Sequence, residues 1–221
     1  MDDSFAIIVY GVRSFANTLI AGNERVEFVN RNFETERISG VDLSRRGGWR
    51  VFVSNDGRSL FFTTSSDALV RIDPTKRDGD RTEIARDVEN FVVSSDGKTV
   101  YYINDDEELW YVSGNGRPSK VADFVEPYRL TISGNNAFFL VDYNDRRGGD
   151  LCFSSNGRAS VRIANDVISV WSTPAGVFYR TYDGDTYRSN GNDKFSFFHA
   201  ALAPVRTPSS TPGGTTTPSP R

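Results

Sequence analysis

The chain has 221 residues, of which 38% are hydrophobic and 25% charged, and its formal net charge is −3. That apolar content is enough to form a buried core, which excludes a wholly disordered chain. A slightly acidic chain also lacks the basic footprint of nucleic-acid-binding proteins, so we expect no nucleic-acid partner.

The N-terminal part of the chain fits a first, degenerate repeat over residues 5–39. Its strand patterns fall at 5–10, 15–20, 26–29 and 35–39. The best anchor is TERISGV at 35–41, which is similar to TEIARDV at 82–88. A loop then leads to Trp49 and the second repeat.

The following part of the chain repeats about every 40 residues. VFVSNDG at 51–57 returns as FVVSSDG at 91–97, and weaker copies are LTISGNN at 130–136 and VISVWSTPAG at 167–176. Their turn residues are spaced by 40, 39 and 40 positions, and they are Gly57, Gly97, Asn136 and Gly176. Such regularity predicts a repeat architecture.

Each repeat contains four strand patterns, here called A to D in chain order. Strand A runs into a turn of Asp, Asn or Gly, residues that tolerate the backbone of tight hairpins. Strands B are predicted at 60–63, 100–103, 138–141 and 177–180, strands C at 69–72, 109–112, 151–153 and 186–188, and strands D at 82–85, 119–122, 160–163 and 195–198.

Sheets this small bury their faces only by packing on one another. The repeat therefore predicts an all-β domain over 1–203, a β-propeller of five four-stranded antiparallel blades. The blades are predicted at about 5–39, 49–86, 89–123, 128–165 and 167–199. The alternative is part of a six- or seven-bladed propeller. Residues 204–221 are almost all Thr, Ser, Pro and Gly, which predicts a disordered linker.

Two turns carry a recognisable pattern. SNDGRSLFF at 54–62 and SSDGKTVYYI at 94–103 resemble the WD40-like, or TolB-type, propeller repeat, and ELWYV at 108–112 is similar to its third strand. The resemblance extends to bacterial propellers of unknown function that are related to low-density-lipoprotein-receptor propeller modules. It implies a blade and no particular active site. These families and the Thr/Ser/Pro tail point to an extracytoplasmic domain, although the start MDDS lacks the features of a signal peptide.

Acidic residues concentrate in the predicted B–C hairpins. Because strands alternate in direction, these hairpins and the D–A connections share one edge of the sheets, which we call the acidic rim. Its candidate binding residues are Asp67, Asp105, Asp106, Glu107, Asp142, Asp145, Asp183 and Asp185. The opposite edge is predicted to carry mixed charges. Segregation of charge to one edge favours a cationic partner.

The same loops offer oxygen ligands for calcium, but they lack the spacing of a calcium-binding loop, and Asp, Asn and Gly also form ordinary turns. The pattern favours solvated turns without a metal or cofactor. His199 is the only histidine and Cys152 the only cysteine, so neither a zinc site nor a catalytic residue is predicted. Cys152 lies in an apolar run that predicts a buried, unreactive thiol. No apolar run reaches the roughly 20 residues of a membrane span, so we expect no membrane insertion within this chain.

The sequence favours a non-catalytic binding module, a scaffold or sensor domain whose acidic rim binds a protein, a peptide or another cationic ligand. Two alternatives stay open. A propeller hydrolase of the glycosidase or lactonase type would need several carboxylates converging at the channel mouth. A carbohydrate-binding propeller would need equivalent aromatic residues in several repeats, whereas Trp110 aligns with Val70 and Cys152.

Overall fold

The computed structural model describes residues 51–73 and 81–189 in full and the backbone of five further strands. All regular structure in these residues is β-strand. Trp49, His199 and the segment 204–221 lie outside the described residues. The strands are β1 (Ala6–Val9), β2 (Thr18–Gly22), β3 (Arg25–Val29), β4 (Thr35–Ile38), β5 (Val51–Val53), β6 (Leu60–Thr63), β7 (Leu69–Ile72), β8 (Thr82–Ala85), β9 (Val88–Val93), β10 (Thr99–Asn104), β11 (Leu109–Ser113), β12 (Ser119–Ala122), β13 (Val125–Ser133), β14 (Asn136–Asn144), β15 (Gly148–Ser155), β16 (Val161–Thr173), β17 (Gly176–Thr181), β18 (Thr186–Ser189) and β19 (Ser196–Phe197).

These strands form four antiparallel sheets. The first sheet contains β1–β4, the second β5–β8, the third β9–β12 and the fourth β13–β19, and hydrogen-bonded neighbours always follow each other in the chain. The antiparallel all-β prediction is confirmed. The four strands predicted in each of the first three repeats are present, because short hairpins close each sheet locally.

The fourth and fifth repeats differ from the prediction of two separate four-stranded blades. They form one seven-stranded sheet, because the predicted fourth strand D and fifth strand A are a single strand, β16. Val167 pairs with Gly149 of β15 and also with Thr181 of β17, so hydrogen bonding continues without an intervening loop. The strand bends where Asp166 adopts a φ of +54° and the register shifts after Val167.

Adjacent aromatic residues of one strand face different cores. On β10, Tyr102 packs with Phe61 of the second sheet, whereas Tyr101 packs with Phe139 of the fourth sheet. Phe138, beside Phe139 on β14, belongs to a third cluster within the fourth sheet. Tyr101, Tyr102 and Phe139 thus contribute to cores between sheets, and the partly buried Trp110 and Tyr111 flank the same clusters. Both faces of the third sheet are therefore covered by neighbouring sheets.

The Ser-x-Asp-Gly turns are structural. Ser54 Oγ donates to Asp56 Oδ1 at 2.6 Å, and the Arg58 amide donates to the same carboxylate at 3.0 Å. Ser94 and Asp96 repeat the first contact at 2.6 Å. These hydrogen bonds lower the pKa of both aspartates, because they favour the ionised form. The motif thus stabilises a hairpin and leaves no free side chain for chemistry.

Candidate binding rim

Backbone hydrogen bonds join successive repeats along the acidic rim. The amide of Val88, at the start of the third sheet, donates to the carbonyl of Asp67 in the second-sheet hairpin at 2.9 Å. The amide of Val125, at the start of the fourth sheet, likewise donates to Glu107 in the third-sheet hairpin at 2.8 Å. Three further bonds run from a hairpin amide to a carbonyl in the preceding connection or bend. They join the amide of Asp105 to the carbonyl of Asp87 (2.9 Å), Asp142 to Phe124 (3.0 Å) and Tyr182 to Asp166 (2.7 Å). The rim loops are therefore tied into one arc.

Left-handed backbone at the accepting residues makes this arc possible. The φ angles are +61° at Asp67, +54° at Asp87, +60° at Glu107, +56° at Phe124 and +54° at Asp166. Asp is among the few residues other than Gly that adopt this conformation readily, because its short polar side chain bonds locally. Part of the rim's acidity therefore has a conformational origin.

All eight predicted site residues lie in the hairpins of this edge. Asp67 is half-buried, and the other seven are exposed. None of those seven forms an ion pair within the described residues. The members without left-handed backbone are Asp105, Asp106, Asp145, Asp183 and Asp185. For these five, the backbone gives no reason to require an acid.

A further carboxylate of this rim, Glu108, forms its hydrogen bonds within the fold. Glu108 accepts hydrogen bonds from Lys120 Nζ at 2.6 Å, Asn104 Nδ2 at 3.0 Å and Trp110 Nε1 at 3.1 Å. The Lys120 bond is the main cause of the lowered pKa of Glu108. Lys120 also pairs with Asp123 at 2.5 Å. Glu108 is therefore a packing residue rather than a ligand-binding one.

Exposed aromatic residues on this rim were missed by the sequence analysis. Phe124 is 65% exposed, Tyr128 61% and Tyr182 57%. Phe124 lies in the connection between the third and fourth sheets, Tyr128 lies in the first part of β13, and Tyr182 lies in the β17–β18 hairpin. A signal was present, since DFVEP at 123–127 aligns with RDVEN at 86–90 and places Phe opposite Asp.

A wide bulge in β13 accompanies these aromatics. Between the pairs Val125–Val141 and Leu130–Phe139, β13 has the four residues 126–129 where β14 has one. The Asn90 side chain of β9 donates a hydrogen bond to the carbonyl of Pro127 within the bulge. Bulges of this kind redirect side chains out of a sheet, and a proline without an N–H is tolerated there.

Among the cavities of the described residues, two lie against the faces of the sheets. One of about 740 Å³ is lined by Arg58, Arg71, Glu83 and Arg117 among others, and Arg71 is held there by the carbonyl of Gly114 at 3.3 Å. A second of about 700 Å³ lies against Tyr179 and Tyr187 of the fourth sheet. Neither is lined by any of the eight candidate carboxylates.

The remaining site predictions concern metals, thiols and membranes. Within the described residues, no three His, Cys, Asp or Glu side chains come together as a metal site. The predicted burial of Cys152 is confirmed, and burial raises the pKa of its thiol to about 11. In the part of the chain that the structure covers, no helix combines the length and apolar character needed to cross a membrane.

Comparison with known proteins identifies the class of fold. No protein-family model matches this sequence, and no curated protein matches it. Among solved structures, the β-propeller domain of the trilobed protease from Pyrococcus furiosus, described as having an open velcro topology, is similar with a TM-score of 0.61 at 8% identity. The match covers 90% of this chain and 73% of that one.

Two further structures are similar. Acylaminoacyl peptidase from Pyrococcus horikoshii has a TM-score of 0.58 at 10% identity, over 86% of this chain and 39% of that one. A putative 6-phosphogluconolactonase from Bacteroides uniformis has a TM-score of 0.51 at 14% identity, over 87% of this chain and 68% of that one. At these identities the likeness shows the fold alone. The chain has a propeller-type all-β fold.

Proposed function

We propose that this protein is a non-catalytic binding module whose acidic rim holds a basic protein or peptide segment. The observation that carries the proposal is the set of seven exposed candidate carboxylates, on a rim whose hairpins are tied together by backbone hydrogen bonds. A row of mainly negative charges, with Arg146 and Arg147 beside Asp145 as exceptions, attracts a cationic partner and orients it as it approaches. A scaffold or sensor domain would use such a surface.

The proposal includes a propeller of five blades, with the fourth sheet counted as two blades that share β16. A WD40-like or TolB-type relationship is supported by the conserved geometry of the Ser54 and Ser94 turns. An extracytoplasmic location is proposed from that resemblance alone.

A titration of the full chain with fluorescein-labelled octa-arginine tests the charge component. We expect saturable binding at low salt that weakens strongly at 0.5 M salt, because exposed charges are screened. Replacing three neighbouring carboxylates in Asp105→Asn, Asp106→Asn and Glu107→Gln should weaken binding roughly tenfold at low salt. Glu83→Gln, an exposed acid away from the rim, is the control. Salt-insensitive binding, or none, would contradict the proposal.

The second candidate is a propeller enzyme. The likeness to a putative lactonase and to a peptidase favours it. Neither of the two cavities described above is lined by any of the eight candidate carboxylates, so no catalytic pair is assigned. Hydrolysis of lactone and acyl-peptide substrates by the purified chain, at a rate abolished by neutralising rim carboxylates, would replace the binding proposal.

A further inference from the structure

The end of the connection between the third and fourth sheets and the start of β13 present two aromatic rings to solvent. Phe124 is 65% exposed and Tyr128 61% exposed, whereas Val125 and Pro127 between them are buried. Glu126, half-buried, lies midway. Burial thus alternates from 124 to 128, which places these three side chains towards the solvent side of the stretch. We call Phe124, Glu126 and Tyr128 the aromatic row.

The left-handed backbone at Phe124 serves the inter-repeat hydrogen bond from the Asp142 amide, but that bond does not require a bulky side chain. A φ of +56° is an unusual conformation for a bulky residue, and in the preceding repeat Asp87 occupies the equivalent position. Burial offsets none of this strain, because the ring is mostly in solvent. A phenyl ring at a left-handed position where a short side chain would serve the same bond points to a role for the ring in contact with a partner.

Acidic residues of two neighbouring hairpins are bonded to this stretch through the backbone. The residue after Phe124 is bonded to Glu107 through its amide, and Asp142 donates its own amide to the Phe124 carbonyl. The nearby cation Arg129 lies over the Tyr143 ring, 5.4 Å from its centre. The charges around the aromatic row are therefore mainly negative, so its complement combines apolar and cationic side chains.

We propose that the aromatic row is the docking site for an extended, arginine-bearing segment of a protein partner. Apolar side chains of the segment contact Phe124 and Tyr128. Its guanidinium groups pair with Glu126 and with the flanking Glu107 and Asp142. This inference rests on the proposed function, and it names the part of the rim and the chemistry that select the partner.

Two fluorescein-labelled peptides of equal charge test the inference on the full chain. One is three repeats of Arg-Gly-Leu-Gly, which alternates Arg and Leu on one side when extended. The other is three repeats of Arg-Gly-Ser-Gly. We expect the leucine peptide to bind roughly tenfold more tightly, as expected for contacts at a well-placed aromatic anchor.

Phe124→Asp is the decisive variant. Asp suits the left-handed position, so the protein should fold with an unchanged or higher melting temperature. The added negative charge should raise the affinity for both peptides equally. If the leucine peptide nevertheless loses its tighter binding, the loss is due to the missing Phe124 ring. Tyr128→Ser should reduce that advantage in part, and Tyr182→Ser, an exposed aromatic in another hairpin, is the control that should not.

The outcomes separate the two proposals. Equal affinity for both peptides in the wild type, or an undiminished leucine advantage in Phe124→Asp, overturns the aromatic row while leaving the charged rim intact. Binding of neither peptide, at low salt and with a folded protein, overturns both. A leucine advantage that disappears in Phe124→Asp supports both.

Discussion

The two connections that enter the third and fourth sheets occupy the same place in successive repeats, yet they differ in what they expose. In the first, Asp87 takes the left-handed position. In the second, Phe124 takes it, and the four-residue bulge 126–129 follows. Both are followed by a fully buried valine, Val88 or Val125. Successive repeats therefore keep the buried valine and differ in the exposed residue that precedes it.

The largest expected effect is on stability, and it tests whether the buried residues Val88 and Val125 are equivalent. Val88→Ala and Val125→Ala should each lower the free energy of unfolding by about 2–3 kcal/mol, because each removes two methyl groups from a core position. Urea unfolding measures both. A much smaller loss for Val125→Ala would show that the bulge has loosened the core, and the comparison would fail.

Exchanging the left-handed residues tests their difference directly. Phe124→Asp should raise the free energy of unfolding by about 1 kcal/mol, since it relieves backbone strain at no cost in burial. Asp87→Phe should lower it by about the same amount. Tyr128→Ser, exposed but without positive φ, should change stability by less than about 0.5 kcal/mol. Destabilisation by Phe124→Asp would mean that the ring has a packing role.

The hydrogen bond that links the two connections should contribute less. The Asn90 side chain donates to the carbonyl of buried Pro127. Asn90→Asp has a similar shape but no N–H, and we expect a loss of about 1 kcal/mol in thermal or urea unfolding. Asn115→Asp is the control and should not lower stability, because this exposed amide accepts a hydrogen bond from Arg71 through its oxygen, which Asp retains. Equal losses from both variants would count against a specific role for Asn90.

The smallest effect concerns the salt bridge that leads into the second connection. Lys120 lowers the pKa of Glu108, so the pair stabilises the fold above the ordinary Glu pKa of about 4.3 and loses that contribution as the pH falls through the lower folded value. Stability measured from pH 6 to pH 3 should therefore fall less in Lys120→Met than in the wild type. Identical pH profiles would exclude a contribution from this exposed pair.

Much of this architecture was predictable from local signals. The turn spacing of 40, 39 and 40 residues located the hairpins, because Asp-Gly and Asn-rich turns are chosen by local backbone geometry. Adjacent aromatics such as Tyr101 and Tyr102 indicated sheets covered on both faces, since neighbouring residues of a strand point in opposite directions. The strand directions placed all eight candidate carboxylates at one edge.

The merging of the fourth and fifth repeats was not predictable in this way. Nothing in the segment around Asp166 distinguishes a loop between two sheets from a bend within one strand. The outcome depends on whether Val167 finds partners on both sides, which only the packed arrangement of β15 and β17 decides.

The sequence by itself determined the strands, their turns and the edge on which the acidic residues lie, because each depends on residues near one another in the chain. Only the tertiary structure decided which of those acidic residues adopt a left-handed backbone and accept inter-repeat hydrogen bonds, and which side chains face solvent. The inter-repeat hydrogen bonds impose positive φ on Asp67 and Phe124 alike. The alignment of the repeats places Phe124 opposite Asp87, but that the ring faces solvent follows from contacts between separate sheets.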